Sequence, residues 1–216
     1  MIKKNYSSAF SRLLVDMLEY GASIQSYHNS NPVILVNADL TSAQQAMGTT
    51  PDYQLTTQRP QSYNYFGTPN EVSNPTVRFK GYQAYVTDSI TLSFMISVDQ
   101  ASMDNVKMVF SYYSKSAGAT VEKVIPASQF LRSTYNGETV YWVDLDSIVA
   151  QDARSEITAQ AYAGDQPISY SRVFSVEMYM ASVIDSNSSD ADLVTMVHKL
   201  MNYCVSAENY FAEERG

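Results

Sequence analysis

The feature that most constrains this chain is an apolar helical pattern that occurs once near each end. With Tyr20 placed over Tyr203, the two ends carry apolar or small residues at matching positions. Their i, i+3, i+4, i+7 spacing predicts one helix from about Ser7 to Tyr27 and a related helix near the C terminus. The matched pairs are Phe10/Leu193, Leu13/Met196, Leu14/Val197, Met17/Leu200, Leu18/Met201, Gly21/Cys204 and Tyr27/Tyr210.

Single residues refine these helices. Glycine in the middle of a helix lowers its stability by roughly 1 kcal/mol relative to alanine. We therefore expect that another segment approaches the helix closely at Gly21. Ser189 and Asp192 have the spacing of a capping box and predict the start of the last helix. Asp39 or Thr41 is placed to cap a short helix soon after the first one. Each terminal helix carries a stripe too wide to leave in water, so we expect the two to pack together or on a sheet.

Between the helices, alternation of apolar and polar residues predicts β-strands. Turn residues separate them, notably Asn136-Gly137 and Gly164-Asp165. Strands at this spacing without long helices between them indicate an antiparallel sandwich. The sequence therefore predicts a mainly β fold: an antiparallel immunoglobulin-like β-sandwich bracketed by related N- and C-terminal helices. The predicted strands are 76–86, 90–98, 106–112, 119–125, 138–145, 156–163 and 167–176.

Composition excludes several classes of protein. The net charge is -8, from 14 basic and 22 acidic residues, and no basic run occurs, which argues against nucleic acid and anionic membranes as partners. No run approaches the ~20 apolar residues of a membrane span, so we expect no membrane insertion within this segment. Met1-Ile2-Lys3-Lys4 resembles the start of a signal peptide, but the polar Asn5-Tyr-Ser-Ser follows where an apolar region is required. One cysteine permits no internal disulfide.

Catalytic and metal motifs are weak. Only two histidines, His28 and His198, are available to activate a nucleophile, and the match of Cys204 to Gly21 favours a small buried residue. The run 185–190 resembles the opening of an EF-hand loop but lacks its glycine and its glutamate, so helix capping explains it better. Carboxylates at 144, 146 and 152 suit either a calcium site or solvated strand ends. The chain is therefore predicted to be non-catalytic, with no cofactor.

Aromatic residues form the best-motivated binding feature. The 17 tyrosines outnumber the 8 phenylalanines, as expected for half-buried strands or for a binding surface. On adjacent strands, some of them would form one exposed platform for a sugar ring or a protein partner, although Trp142 also suits the core. The ligand-binding candidates are Tyr112, Tyr113, Tyr135, Tyr141 and Trp142. A second cluster, Tyr53, Tyr63, Tyr65 and Phe66, suits packing over the sheet.

Several stretches together resemble a known kind of repeat. They are Asp88-Ser-Ile-Thr-Leu-Ser-Phe94, Phe174-Ser-Val-Glu-Met-Tyr-Met-Ala181, Asn37-Ala-Asp-Leu-Thr41 and both copies of the helix. The chain is similar to repeat modules of modular cell-surface and secreted proteins of Gram-positive gut anaerobes. It departs from that pattern at Cys204, Val205 and His28.

The resemblance implies an organisation and a function. It implies a non-catalytic binding module of a bacterial cell-surface or secreted protein, extracellular and part of a longer protein. The expected partner is a host extracellular protein such as an immunoglobulin. The alternatives are a carbohydrate-binding module of a polysaccharide-degrading surface system and a structural spacer repeat. The predicted divisions are a helix closing a preceding repeat (1–37), a lead-in segment with edge strands (38–75), the β-sandwich (76–176) and a closing helical hairpin (177–216).

Overall fold

The computed structural model describes residues 7–28, 34–55, 72–86, 89–99, 103–187 and 189–215. The chain divides into two compact units. We call them the helical unit and the β unit. The helical unit comprises residues 1–57, 150–152 and 180–216, and the β unit comprises residues 58–149 and 153–179.

The β unit contains two antiparallel sheets. Sheet A has the strand order β1-β2-β6-β5, and sheet B has the order β4-β3-β7, with both β8 and β9 paired to β7. The prediction of a mainly β chain with helices at both ends is therefore confirmed. The strands are β1 (Val77–Val86), β2 (Ile90–Val98), β3 (Val106–Ser114), β4 (Ala119–Pro126), β5 (Leu131–Tyr135), β6 (Glu138–Ile148), β7 (Ile157–Ala163), β8 (Gln166–Pro167) and β9 (Arg172–Phe174).

Alternation along the strands builds the core between the two sheets. Leu92, Phe94 and Ile96 of β2 have no exposed surface and all point to the same face of sheet A. The ring of Phe94 lies 5.4 Å from that of Phe110 on β3, measured between ring centroids. Because β2 and β3 belong to different sheets, this contact joins the sheets face to face in a sandwich-like arrangement.

Two tight turns close hairpins as their residues predict. Asn136 (φ 50°) and Gly137 (φ 81°) join β5 to β6, and both have the left-handed backbone that the Asn-Gly pair favours. Gly164 (φ 58°) lies between β7 and β8. The predicted strands include none directly before Asn136, so β5 is an addition to them. Of the predicted lead-in edge strands, residues 53–55 are not in a strand, and the 62–66 stretch lies outside the described residues.

The helical unit contains the two related helices, α1 (Ser8–Tyr27) and α4 (Ala191–Arg215), and a short helix α2 (Ser42–Gln45). Thr41 caps α2 in a capping box with Gln44, as one of the two predicted alternatives. The predicted cap of α4 is wrong by one residue, because Asp190 Oδ1 accepts the hydrogen bond from the Leu193 N–H at 3.0 Å. A further helix, α3 (Val176–Ser186), begins in the β unit and ends in the helical unit. None of the helices within the described residues has the length and apolarity needed to cross a membrane.

The terminal helices pack against each other in opposite directions. The rings of Tyr20 and Tyr203 stack with centroids 6.2 Å apart and planes within 6°, and Phe10 meets Tyr210 at 5.5 Å. The aligned tyrosines thus touch each other at the middle of the helix pair. Of the two expected arrangements, packing together or packing on a sheet, the contacts confirm the first.

Gly21 marks a close approach, as predicted. A β-carbon at this position would lie 2.9 Å from Cγ2 of Val36. The Val36 N–H also donates to Oε1 of Gln25 at 2.9 Å. The chain after α1 therefore returns along the helix, and glycine leaves the space for it.

The buried face of α1 differs from the predicted one. Its buried residues are Ala9, Val15, Asp16, Ala22 and Ser23. Among the predicted stripe residues, Leu14 and Met17 are exposed. The pattern located the helix, but the assumption that the whole apolar stripe becomes buried is wrong for α1.

Candidate functional site

The five predicted binding residues do not form one platform. Tyr112 lies on β3 in sheet B and is only 7% exposed, because it points into the core like Phe110 two residues earlier. Tyr113 points to the outer face of sheet B and is 56% exposed. Tyr135, Tyr141 and Trp142 belong to sheet A. The platform on adjacent strands can therefore include Tyr135, Tyr141 and Trp142 but not Tyr112 or Tyr113, since β3 and β6 are in different sheets.

Tyr135 and Trp142 share the outer face of sheet A. Trp142 pairs with Met95 on one side and with Leu131 on the other. Tyr141 pairs with the core residue Ile96 and so points to the inner face, where it is half-buried. The predicted choice between core and surface for Trp142 is resolved by this register: it is half-buried on the outside of the sheet.

The most exposed part of this face is β5. All five of its residues are exposed, including Leu131 at 60% and Tyr135 at 50%. Both lie on the same face as Trp142, because residues two apart in a strand point the same way. Sequence reasoning missed β5 because its residues, Leu-Arg-Ser-Thr-Tyr, show no apolar alternation. The signal that was present was the Asn-Gly turn, which requires a strand on each side.

β5 is also an edge of its sheet and carries few features that discourage pairing. Edge strands are commonly protected by lysines, prolines or bulges. The opposite edge, β1, carries Arg78 and Lys80 and has a register irregularity between Phe79 and Gly81. The edge of sheet B, β4, carries Glu122 and Lys123 and ends in proline. β5 has the single charge of Arg132 and is short, so it is the edge best suited to contact another molecule.

A pocket of about 300 Å³ lies beside β1 and β9. Arg172, which is 5% exposed, lines it and lies with its guanidinium 5.6 Å from the ring centroids of both Phe79 and Phe174. These two cation–π contacts orient the buried guanidinium of Arg172 within the core. Lys80, another lining residue, forms an ion pair with Glu138 at 3.3 Å.

In the helical unit, Asp16 is the centre of a buried hydrogen-bond network. Its carboxylate accepts from the Thr49 N–H at 2.8 Å, from the Thr49 hydroxyl at 2.7 Å and from the Ser206 hydroxyl. Asp16 is 2% exposed, so these donors replace the water that the carboxylate loses. The network ties α1, α4 and the chain around Thr49 together.

Lys199 of α4 aligns with Asp16 of α1. It binds the same segment of chain as Asp16 does, at Asp52, three residues after Thr49. Lys199 Nζ donates to Asp52 Oδ1 at 3.0 Å, and Asn202 Nδ2 donates to the same oxygen at 2.8 Å. Burial by itself raises the pKa of Asp52, but these two hydrogen bonds and the lysine charge outweigh it and lower that pKa below its ordinary value. Asn202 also accepts from the Tyr53 N–H at 2.7 Å. These contacts hold a loop between two helices.

Cys204 has the environment of a structural residue. It is buried in α4, and burial followed by the nearby Glu208 charge raises the pKa of its thiol to about 12. A thiol in that state supplies little thiolate at neutral pH. The prediction of a small buried residue at this position is confirmed.

The carboxylates considered for calcium lie apart. Ser93 donates to Asp144, Asp146 accepts from Lys123 at 3.4 Å, and Asp152 is buried in the turn at 150–152. In the part of the chain that the structure describes, no group of three or more metal-ligating side chains is close enough to hold an ion. Compared with family models, with curated proteins and with solved structures, the chain matches none.

Proposed function

We propose that this chain is a non-catalytic binding module of a bacterial cell-surface or secreted protein, and that β5 with the adjoining outer face of sheet A binds a protein partner. The observation that carries the proposal is the exposure of Leu131 and Tyr135 on an edge strand whose every residue is exposed. An edge strand offers both backbone hydrogen-bonding groups and alternate side chains to an extended partner segment.

The side chains favour a protein over a glycan. Tyrosine, tryptophan and arginine are enriched at the centres of protein interfaces, and β5 with its neighbour β6 presents Tyr135, Trp142 and Arg132. Leu131 pairs with Trp142 across the two strands, and Tyr135 lies four residues further along β5. Tyr135 and Trp142 are therefore separated by about 13 Å. A sugar ring stacks on one aromatic face at a time, whereas a peptide strand spans this distance in about four residues.

The strand order supports an immunoglobulin-like class for the β unit. Lettering the strands in sequence, sheet A reads A-B-E-D and sheet B reads C′-C-F-G, with β8 and β9 sharing the place of the last strand. That class is common in extracellular modules, and the resemblance to repeats of gut-anaerobe surface proteins favours a host extracellular protein, such as an immunoglobulin, as the partner.

The test is a binding screen of the intact chain against host secreted glycoproteins, immunoglobulins included, with soluble polysaccharides alongside. For any protein that binds, the double variant Leu131→Ser/Tyr135→Ser is compared with the control Tyr113→Ser. Tyr113 is as exposed as Tyr135 but lies on the outer face of sheet B. We expect affinity to fall at least tenfold in the double variant and to stay within twofold in the control.

Other outcomes contradict the proposal in distinct ways. Equal loss in both variants, or loss only in the control, moves the interface away from β5. Binding to polysaccharides alone supports the carbohydrate-binding alternative. Absence of binding to every protein and glycan supports a spacer.

A further inference from the structure

The pocket beside β1 and β9 lies where two segments of the β unit separate. The C=O of Ile168 accepts hydrogen bonds from the N–H groups of Thr76 and Val77, at 3.0 Å and 3.1 Å. After this contact β1 continues in sheet A, whereas the chain after Ile168 leads to β9 in sheet B. The pocket of about 300 Å³ lies between β1 and residues 170–172. Its two walls are therefore backbone segments whose positions are set by strand pairing.

The wall that contains Tyr170 is held by buried hydrogen bonds. The hydroxyl of Ser169, which has no exposed surface, accepts from the Ala161 N–H at 2.8 Å and donates to the C=O of Tyr170 at 2.9 Å. Gln160 Nε2 donates to the C=O of Ser169 at 3.1 Å. Because these bonds fix the wall before a ligand arrives, binding does not have to order it.

The lining combines apolar surface with positive charge. Of the seven described residues that line the pocket, three are basic and none is acidic, although the whole chain has a net charge of -8. Even with the Glu138 carboxylate that pairs with Lys80, the basic groups are in excess. The excess charge favours an anionic ligand, and the other lining residues favour a ligand with an apolar body. These other residues are Pro75, Val77, Phe79 and Tyr170.

Arg172 is the cation best placed to bind an anion inside the pocket. It is 5% exposed, and its guanidinium lies 5.6 Å from the ring centroids of Phe79 and Phe174. Opposite charges attract each other more strongly there than at the surface, because little water screens them. A guanidinium has five N–H donors in a planar fork that matches a carboxylate. It can therefore donate to a carboxylate in addition to its contacts within the chain.

The backbone of β1 supplies a second donor. The Val77 N–H points to Ile168 and hence away from β2. Backbone groups alternate in direction along an antiparallel strand, so the Phe79 N–H also points away from β2, to the side on which the pocket lies. The two walls thus each offer a donor to a carboxylate.

We infer that this pocket binds a small carboxylic acid with an aromatic body, its carboxylate on Arg172 and its ring against Phe79 and Tyr170. An apolar cavity of about 150 Å³ accepts benzene, so a pocket of about 300 Å³ has room for a phenyl ring with a short carboxylate chain. β1 and β5 are opposite edges of sheet A. The inference therefore stands or falls separately from the proposed binding of a protein at β5.

The first test is titration calorimetry of the intact chain with 3-phenylpropionate. The matched control compound is 3-phenylpropanol, which has the same body without the charge. We expect a Kd below about 1 mM for the acid and at least tenfold weaker binding of the alcohol, because hydrogen bonds to an ionised group are roughly twice as strong as neutral ones. Absence of binding by the acid, or equal binding of the two compounds, overturns the inference.

The second test changes the arginine. Arg172→Met keeps a long side chain between the two phenyl rings but removes the charge and the donors. The control is Arg12→Met, the same exchange at an exposed position of α1. We expect the affinity for 3-phenylpropionate to fall at least tenfold in Arg172→Met and to stay within twofold in Arg12→Met. Equal affinities in the two variants contradict the inference.

A third test uses the unmodified chain and so does not depend on the folding of a variant. Amide signals are followed by NMR while 3-phenylpropionate is added. We expect the largest shifts within residues 77–80 and 170–172, and none in β5. Largest shifts in β5 or in the helical unit would place the acid elsewhere and overturn the inference.

Discussion

The helices α1 and α4 carry the same pattern of residues but differ in what they bury. α4 buries its apolar stripe, including Val197, Leu200 and Met201. α1 leaves Leu14 and Met17 exposed, and its buried residues include the polar Asp16 and Ser23. An apolar period of 3.6 predicts that a helix forms and which face is apolar. It does not predict whether a neighbour is present to cover that face.

The buried face of α1 consists mainly of small and polar residues. Ala9 and Ala22 have short side chains that permit a close approach, and Asp16 supplies hydrogen bonds to Thr49 and Ser206. A buried carboxylate is stabilising only where donors surround it. Partners that are distant in sequence therefore decide which side of α1 becomes buried.

The largest expected effect separates the two stripes directly. Leu200→Ala should lower the free energy of unfolding by about 3 kcal/mol, because it removes a fully buried side chain and leaves a cavity. Met17→Ala, at the matched position of α1, should change it by less than about 0.5 kcal/mol because the side chain is exposed at the surface and its removal leaves no buried cavity. Urea unfolding of both variants measures the difference, and equal losses would contradict the comparison.

The second prediction concerns the matched pair Asp16 and Lys199. Asp16→Asn should cost about 2 kcal/mol, since an amide group then faces hydroxyl and amide donors in a buried site. Lys199→Met should cost about 0.5 kcal/mol, because its ion pair with Asp52 is partly exposed and screened by solvent. Urea unfolding at neutral pH tests the order of the two effects, and a larger loss for Lys199→Met than for Asp16→Asn would contradict the prediction.

The smallest effect is expected at alkaline pH. Burial, then the neighbouring Cys204 and Tyr203, raise the pKa of Tyr20 from 10.0 to about 12. The neutral phenol therefore stabilises the fold below pH 10, and this contribution is lost as the pH rises from 10 toward 12. Because Tyr20 is partly exposed, we expect a loss below about 1 kcal/mol.

The variant Tyr20→Phe isolates this contribution. Its stability should fall less steeply than that of the unmodified chain between pH 10 and 12, with Cys204→Ala used to subtract the thiol that titrates in the same direction. Unfolding by urea at pH 8 and at pH 11 gives the comparison. Parallel losses in both chains would show that Tyr20 does not titrate with its pKa raised.

Much of the fold was predictable where one local rule sufficed. The bounds of β2, Ile90–Val98, follow directly from its alternation, and Asn136-Gly137 forms the turn that its residues favour. β5 was not predictable from its own residues, since an edge strand exposed on both faces needs no alternation. The cap of α4 was misplaced because Ser189 and Asp190 are both good caps, and only the backbone geometry chooses between them.

The candidate site was predictable only in part. The sequence indicated that Tyr135 and Trp142 lie near a hairpin, and they do share one face of sheet A. It could not separate Tyr112 from this group, because the neighbours of a strand are set by pairing across the whole sheet. Tyr112 and Tyr113 point to opposite sides of sheet B, and only the position of the core shows which of the two is buried.

The sequence by itself determined the kinds of element and their order: related helices at the ends, antiparallel strands between them, and a buried Cys204 where the helix repeat expects a small residue. These follow from periodicity and turn chemistry, which act between residues close in the chain. The tertiary structure alone decided that β5 is an open edge. It also decided that neighbouring segments cover the apolar stripe of α4 and leave that of α1 partly exposed. The burial of a surface depends on which distant segment lies against it, and that contact is not encoded in the pattern of the surface itself.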